Sequence, residues 1–149
     1  MILFHLADSL ELIDLIMSDE FIFDNLSDLL YFLKKESEYS LLAEVCCLIG
    51  TIEDKFVYKQ MQNRSKDPAS YFIIDPYDYL LFIKKYKPLC IFHSHLVGCE
   101  QPSDFDIKTS NNCCYAFLIY SICSEKFSLY EPQYQDYDVS IIQRLKELI

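Results

Sequence analysis

Apolar positions along the chain change their period several times, and each change marks an element. Leu3, Leu6, Leu10, Ile13 and Met17 alternate spacings of three and four, which predicts an amphipathic helix over the first 17 residues. A short strand, EFIFD (20–24), follows. Asp24 or Asn25 then caps a helix that gathers Leu26, Leu29, Leu30 and Leu33 on one face, with Lys34 and Lys35 near its end. EVCCLIGTI (44–52) is a continuous apolar run of strand length. EDK reads as the turn into a second strand, FVYKQMQ (56–62).

The polar stretch NRSKDPAS (63–70) reads as loop. Asp75-Pro76 predicts a helix start, with aspartate as the cap and proline in the first helical position. Tyr79, Leu80, Ile83 and Tyr86 form its expected inner face, and Pro88 ends it. LCIFH (89–93) is the next short buried strand. A helix from Ser103, a strand YAFLIYSI (115–122), a turn at Ser124-Glu125 and a strand KFSLY (126–130) complete the body. The tail DVSIIQRLKELI (138–149) sets Ile141, Leu145 and Leu148 on one helical face. Hairpins mixed with helix-linked strands predict an α+β or α/β fold, a mixed sheet flanked by helices.

Length and composition narrow the picture. The chain's 149 residues suit one domain with a substantial core, and 52% of them are hydrophobic. A formal net charge of −10 disfavours phosphate backbones and anionic lipid, so neither nucleic acid nor membrane is expected as a partner. No apolar run is long enough to span a bilayer. The opening MILFHLADSLELIDLIM lacks a basic start and carries Asp8, Glu11 and Asp14, so it does not read as a signal peptide. Seven cysteines with no C-x-x-C among them read as reduced thiols of a cytoplasmic protein. Neither of the two glycines lies in a phosphate-loop or dinucleotide pattern.

The chemistry is concentrated in CIFHSHLVGCEQPSDFD (90–106). On a strand, His93 and His95 project to the same side, so both imidazoles can converge on one point. Taken alone, such a pair is more readily read as one or two hydrogen-bonded histidines at a strand end, because short motifs match by accident. Ser103 and Asp106 taken alone are a capping box at a helix start. The joint pattern H-x-H-x7-S-x-x-D is rarer, expected by accident in roughly one chain of this size in several thousand at average residue usage. Two histidines and one aspartate leave a fourth tetrahedral position for water, as in catalytic zinc sites. Glu44, just before the strand VCCLIG, is the candidate acid/base.

This set resembles the JAMM metalloprotease motif of the MPN (JAB) domain family, in which an upstream glutamate on a strand is followed by H-[ST]-H-x7-S-x-x-D. The likeness runs over about residues 20–132. "NRSKDPASYFIIDPYDYL" (63–80) is similar to the N-x-x-x-x-P-x-x-x-F-x-I-D-P-x-D-Y segment of the prokaryotic and tailed-phage branch, and "YSICSEKFSLYEP" (120–132) to its closing hairpin. Cys47 replaces the family's usual glycine, and Leu96 the common proline after the second histidine.

The resemblance implies a JAB/MPN-like, cytidine-deaminase-like sheet over 20–132; the expected helical extensions, 1–19 and 133–149, lie outside it. It implies His93, His95 and Asp106 as zinc (Zn2+) ligands, Glu44 as general acid/base and Ser103 as the group that steadies the oxyanion. Ser94 points the other way. The implied activity is hydrolysis of a peptide or isopeptide bond by zinc-bound hydroxide, on a protein or peptide substrate. The alternatives are a phage-type tail-assembly protein that retains the metal site, or a deconjugase of a ubiquitin-like partner. Substrate contacts are expected from Leu96–Pro102 and 62–70. A zinc deaminase is excluded, since H-x-E and P-C-x-x-C are both missing.

Overall fold

The computed structural model describes residues 2–3 and 19–149. Seven strands among these residues form one mixed sheet: β1 (Ile2–Leu3), β2 (Glu20–Phe23), β3 (Cys46–Ile52), β4 (Lys55–Met61), β5 (Lys87–His95), β6 (Ala116–Ser121) and β7 (Lys126–Tyr130). Their order across the sheet is β1-β2-β4-β3-β5-β6-β7. Four helices are described: α1 (Leu26–Tyr39), α2 (Pro76–Lys85), α3 (Asp104–Cys113) and α4 (Val139–Leu148). The fold is therefore mixed α and β, as the hydrophobic pattern predicts. Ile2 and Leu3 pair in parallel with Phe21 and Ile22, so the expected first helix does not include Leu3. The remainder of that expected helix lies outside the described residues.

The local signals act where the sequence puts them. Asn25 caps α1, its side chain accepting from the Asp28 amide, and the helix continues past Lys35 to Tyr39. Glu53 takes a left-handed conformation in the tight turn that joins β3 to β4 as an antiparallel pair. Asp75 caps α2 with Pro76 in its first turn. The link from β5 through α3 to β6 is a parallel crossover, which opens a crevice at the carboxyl end of β5.

Alternation along the strands builds two apolar layers. One face carries Phe21, Cys47, Ile49, Tyr58, Phe92 and Leu118 against α1 and the Ile142–Leu145 edge of α4. The other carries Ile22, Leu48, Val57, Ile91 and Phe117 against Phe72, Phe82 and Tyr86. Gly50 is required at its position in β3. A Cβ there would stand 2.7 Å from the Lys87 carbonyl oxygen and 2.8 Å from Cζ of Phe82.

Two predicted helix faces shift. In α2 the fully buried side chain is Phe82, with Tyr86 buried just after it, and Leu80 is 50% exposed. The space above Gly50 draws Phe82 inward and turns Leu80 out. In α4 the buried pair is Ile142 and Leu145, and Leu148 is half exposed because no other described residue covers the final turn. Pro88 lies inside β5 near its start, where the pairing with β3 shifts register between Ile49 and Gly50.

Candidate metal centre

His93 and His95 occupy the last turn of the pleat in β5 and face the α2–α3 side of the sheet. Their Nε2 atoms are 3.1 Å apart. Asp106, in the first turn of α3, meets His93 Nε2 through Oδ1 at 3.1 Å and His95 Nε2 through Oδ2 at 3.3 Å. Donors held tetrahedrally at about 2.0–2.1 Å from zinc stand roughly 3.3–3.4 Å from one another. The observed separations are close to that figure, so this buried group is one that could hold a metal ion.

Hydrogen bonds around the centre orient the donors. His95 Nδ1 lies 2.8 Å from the Cys99 carbonyl oxygen. That oxygen can only accept, so in the neutral ring Nδ1 carries the proton and Nε2 turns its lone pair to the centre. Asp106 Oδ2 accepts from the Ser103 amide at 2.8 Å, and the Asp106 amide donates to Ser103 Oγ at 3.1 Å. The capping box and the metal-facing carboxylate are thus one structure. His93 differs: its Nδ1 is buried and has no hydrogen-bond partner among the described residues. The ring is held instead by packing between Phe72, whose centroid lies 4.6 Å away, and Phe117, edge-on at 5.6 Å.

The electrostatics follow from burial and proximity. Burial holds the His93 pKa below the ordinary imidazole value against the pull of Asp106. At His95 burial acts the same way, but hydrogen bonds to Asp106 and the Cys99 carbonyl outweigh it and raise the pKa. Burial disfavours the Asp106 carboxylate, yet bonds to His93, His95 and the Ser103 amide keep it well below the usual carboxylate range. Burial pushes Glu44 up to about 7, moderated by His95 and reinforced by Asp106.

All five site residues expected from the sequence come together at this end of β5. The register that pairs Cys46 with His93 runs back two residues to bring Glu44 beside His95. Ser103 is exposed at the head of α3 and caps it. Ser94, between the histidines, faces away and is fully buried, its Oγ accepting from the Val45 amide at 2.8 Å. Two participants carry no chemical signature in the sequence. Phe72 reads as one more core aromatic, and Asn63 as a loop residue. Asn63 could have been found only through the spaced N-x-x-x-x-P-x-x-x-F pattern. Next to the centre an apolar groove of about 340 Å³ is lined by Phe72, Ile73, Ile74, Tyr79, Ile91 and Phe105. The expected substrate-contact stretches, 62–70 and 96–102, do not include it.

No family model matches the chain, and no curated protein matches it. The fold is similar to the solution structure of protein DSY2949 from Desulfitobacterium hafniense, with a TM-score of 0.53 and 18% sequence identity over 77% of this chain and 94% of that one. That likeness is one of fold. All seven cysteines, which lie among the described residues, are free. No helix among the described residues is long and apolar enough to cross a membrane.

Proposed function

We propose that this chain is a zinc-dependent metallopeptidase of the JAMM/MPN kind, acting on a peptide or isopeptide bond of a protein substrate. The observation that carries the reading is the convergence of His93 Nε2, His95 Nε2 and the Asp106 carboxylate with an adjacent buried carboxyl group, Glu44. Two neutral imidazoles and one carboxylate are a donor set suited to zinc, and the three-ligand count belongs to catalytic sites. Zinc, when bound, supplies Lewis acidity that makes water nucleophilic near neutral pH.

The remaining chemistry belongs to the chain. Glu44, with its pKa near 7, exchanges protons readily at neutral pH. Its carboxylate takes the proton of the attacking water and delivers it to the leaving nitrogen. Ser103 Oγ uses a lone pair to accept from the Asp106 amide and keeps its own proton to donate to the substrate carbonyl oxygen as charge develops there. The Cys99 carbonyl and the Ser103 amide hold His95 and Asp106 in place. The apolar groove gives an extended substrate a wall beside the reacting bond.

A second reading, a tail-assembly or other interaction protein that retains the site, draws support from Leu42 and Val97. These two exposed apolar side chains lie on the chain segments next to Glu44 and His95. The free cysteines suit a reducing, cytoplasmic setting for either reading.

The deciding experiment is elemental mass spectrometry on protein purified without chelators and supplied with zinc, wild type beside His95→Ala. About one zinc per chain in wild type, lost from the variant, is the expected result. Absence of zinc from both overturns the reading. If zinc binds but the Glu44→Gln protein supports full function in its host, the interaction reading replaces the peptidase.

A further inference from the structure

Asn63 makes more hydrogen bonds than an ordinary loop residue. It follows β4, opens the segment 62–75 that runs beside the metal centre, and is partly buried. Its Nδ2 donates to the carbonyl oxygens of Glu44 at 3.3 Å, Pro68 at 3.3 Å and Tyr71 at 3.1 Å. Its Oδ1 accepts from the amides of Ser65 at 3.0 Å and Ile73 at 3.2 Å. One side-chain amide thus reaches backbone groups at five places, four along the segment and one on the residue that carries the candidate base, its two Nδ2 hydrogens shared among three carbonyls.

The bonds have two destinations in the centre. On the donor side, Nδ2 holds the Glu44 carbonyl directly and the Pro68 carbonyl as well. Pro68 O in turn accepts the Glu44 amide at 2.6 Å. Both backbone groups of Glu44 are therefore tied to the arrangement that Asn63 organises. On the other side, Asn63 binds the Tyr71 carbonyl and the Ile73 amide, which bracket Phe72. Phe72 is the nearer of two rings that pack on His93, the other being Phe117 of β6 at 5.6 Å, and His93 Nδ1 has no hydrogen-bond partner among the described residues to orient the ring. A metal-binding histidine is ordinarily oriented by a hydrogen bond from its second nitrogen. Packing takes over that task at His93, with Phe117 fixed on β6 and Phe72 held by the segment that Asn63 organises.

We infer that Asn63 is a positioning residue that sets the general base Glu44 and, through Phe72, the ligand ring of His93 together. The inference rests on the metallopeptidase reading for the roles of those two residues. It concerns geometry, and it gives the loop 62–75 a purpose beyond substrate contact. The segment is also tied by the Arg64–Asp75 ion pair, at 3.0 Å, which touches neither Glu44 nor Phe72. That pair supplies the control, because its loss loosens the same segment and leaves the Asn63 bonds in place.

Amide hydrogen exchange on metal-free protein and zinc affinity in competition with a chromogenic chelator test the inference. Asn63→Ala is expected to speed exchange at the Glu44 amide by about tenfold or more relative to Leu48 in the centre of β3. It is also expected to weaken zinc binding roughly tenfold or more, the range for lost ligand support. Arg64→Ala leaves both readouts near wild type. Asn63→Asp keeps the acceptor for Ser65 and Ile73 but lacks the donor. It loses the bonds to Glu44, Pro68 and Tyr71 and keeps the Ile73 side of the Phe72 bracket. It is therefore expected to speed exchange at the Glu44 amide as much as Asn63→Ala does while weakening zinc binding less, and it keeps the test available even if the alanine variant folds poorly.

Equal effects of Arg64→Ala and Asn63→Ala overturn the inference, as do unchanged exchange at Glu44 and unchanged zinc affinity in Asn63→Ala. If wild-type protein binds no zinc, the metallopeptidase reading fails, and exchange at the Glu44 amide still decides whether Asn63 holds that residue.

Discussion

Val45 and Ser94 exchange two hydrogen bonds: the Val45 amide donates to Ser94 Oγ at 2.8 Å, and the Ser94 amide to the Val45 carbonyl at 3.0 Å. Val45 follows the candidate base, and Ser94 separates the two histidines. The clamp therefore fixes Glu44 against the His93–His95 pair without touching the centre. Ser94→Ala leaves the Val45 amide without its acceptor, in surroundings where Ser94 is fully buried. A loss of about 1–3 kcal/mol in stability is expected, with zinc retained and turnover reduced. Urea denaturation beside metal analysis checks this, and an unchanged midpoint would show that the hydroxyl holds nothing.

Ser103→Ala separates two duties of one hydroxyl. Without the cap, α3 loses about 1 kcal/mol. Asp106 keeps its bond from the Ser103 backbone amide, so zinc stoichiometry is expected to stay at the wild-type level. Turnover should fall by about a hundredfold or more if the hydroxyl donates to the oxyanion. Ser103→Thr retains cap and donor and should restore both. A turnover loss no larger than the stability loss explains would confine Ser103 to capping.

The pH profile follows from Glu44. Its carboxyl is raised to about 7 by burial, and a base must be ionised to accept a proton. The rate is expected to fall about tenfold per pH unit below that value and to level off above it. Glu44→Gln should bind zinc normally and lose both the rate and this limb. Persistence of the limb in the glutamine variant would assign it to another group.

Much of this centre was legible because its donors are close in the chain. A two-residue spacing on a strand and a three-residue spacing at a helix start translate directly into shared directions. Glu44 needed one more step, the antiparallel register of β3 and β5. Asn63 and Phe72 stand in the spaced N-x-x-x-x-P-x-x-x-F pattern, but neither was legible as a site residue from its own chemistry, since an amide that binds backbone and a ring that packs carry no reactive group. The misplaced faces of α2 and α4 have similar causes. Helical periodicity ranks Leu80 and Leu148 as inward, but the gap above Gly50 and a last turn left open by the described residues decide otherwise.

Glu36 gives a prediction about stability that is independent of the metal centre. It lies on α1, facing the opposite side of the sheet, where the Tyr58 hydroxyl donates to its Oε1. Its Oε2 is buried with no hydrogen-bond partner among the described residues. Burial raises its pKa from the ordinary 4.5 to about 7, against the smaller lowering effect of the Tyr58 bond. The folded state therefore holds a proton that the unfolded state has released between those two values. Stability from this group is complete below about 4.5 and is lost as pH rises towards 7, after which the effect is flat. A shift of this size corresponds to about 3 kcal/mol. Glu36→Gln keeps an acceptor for Tyr58 and cannot ionise, so its advantage over wild type should grow by that order between pH 4.5 and 8. Denaturant unfolding of both proteins across that range measures the difference directly. Parallel curves would mean that Glu36 is hydrated or paired when ionised, and that its buried oxygen carries no penalty.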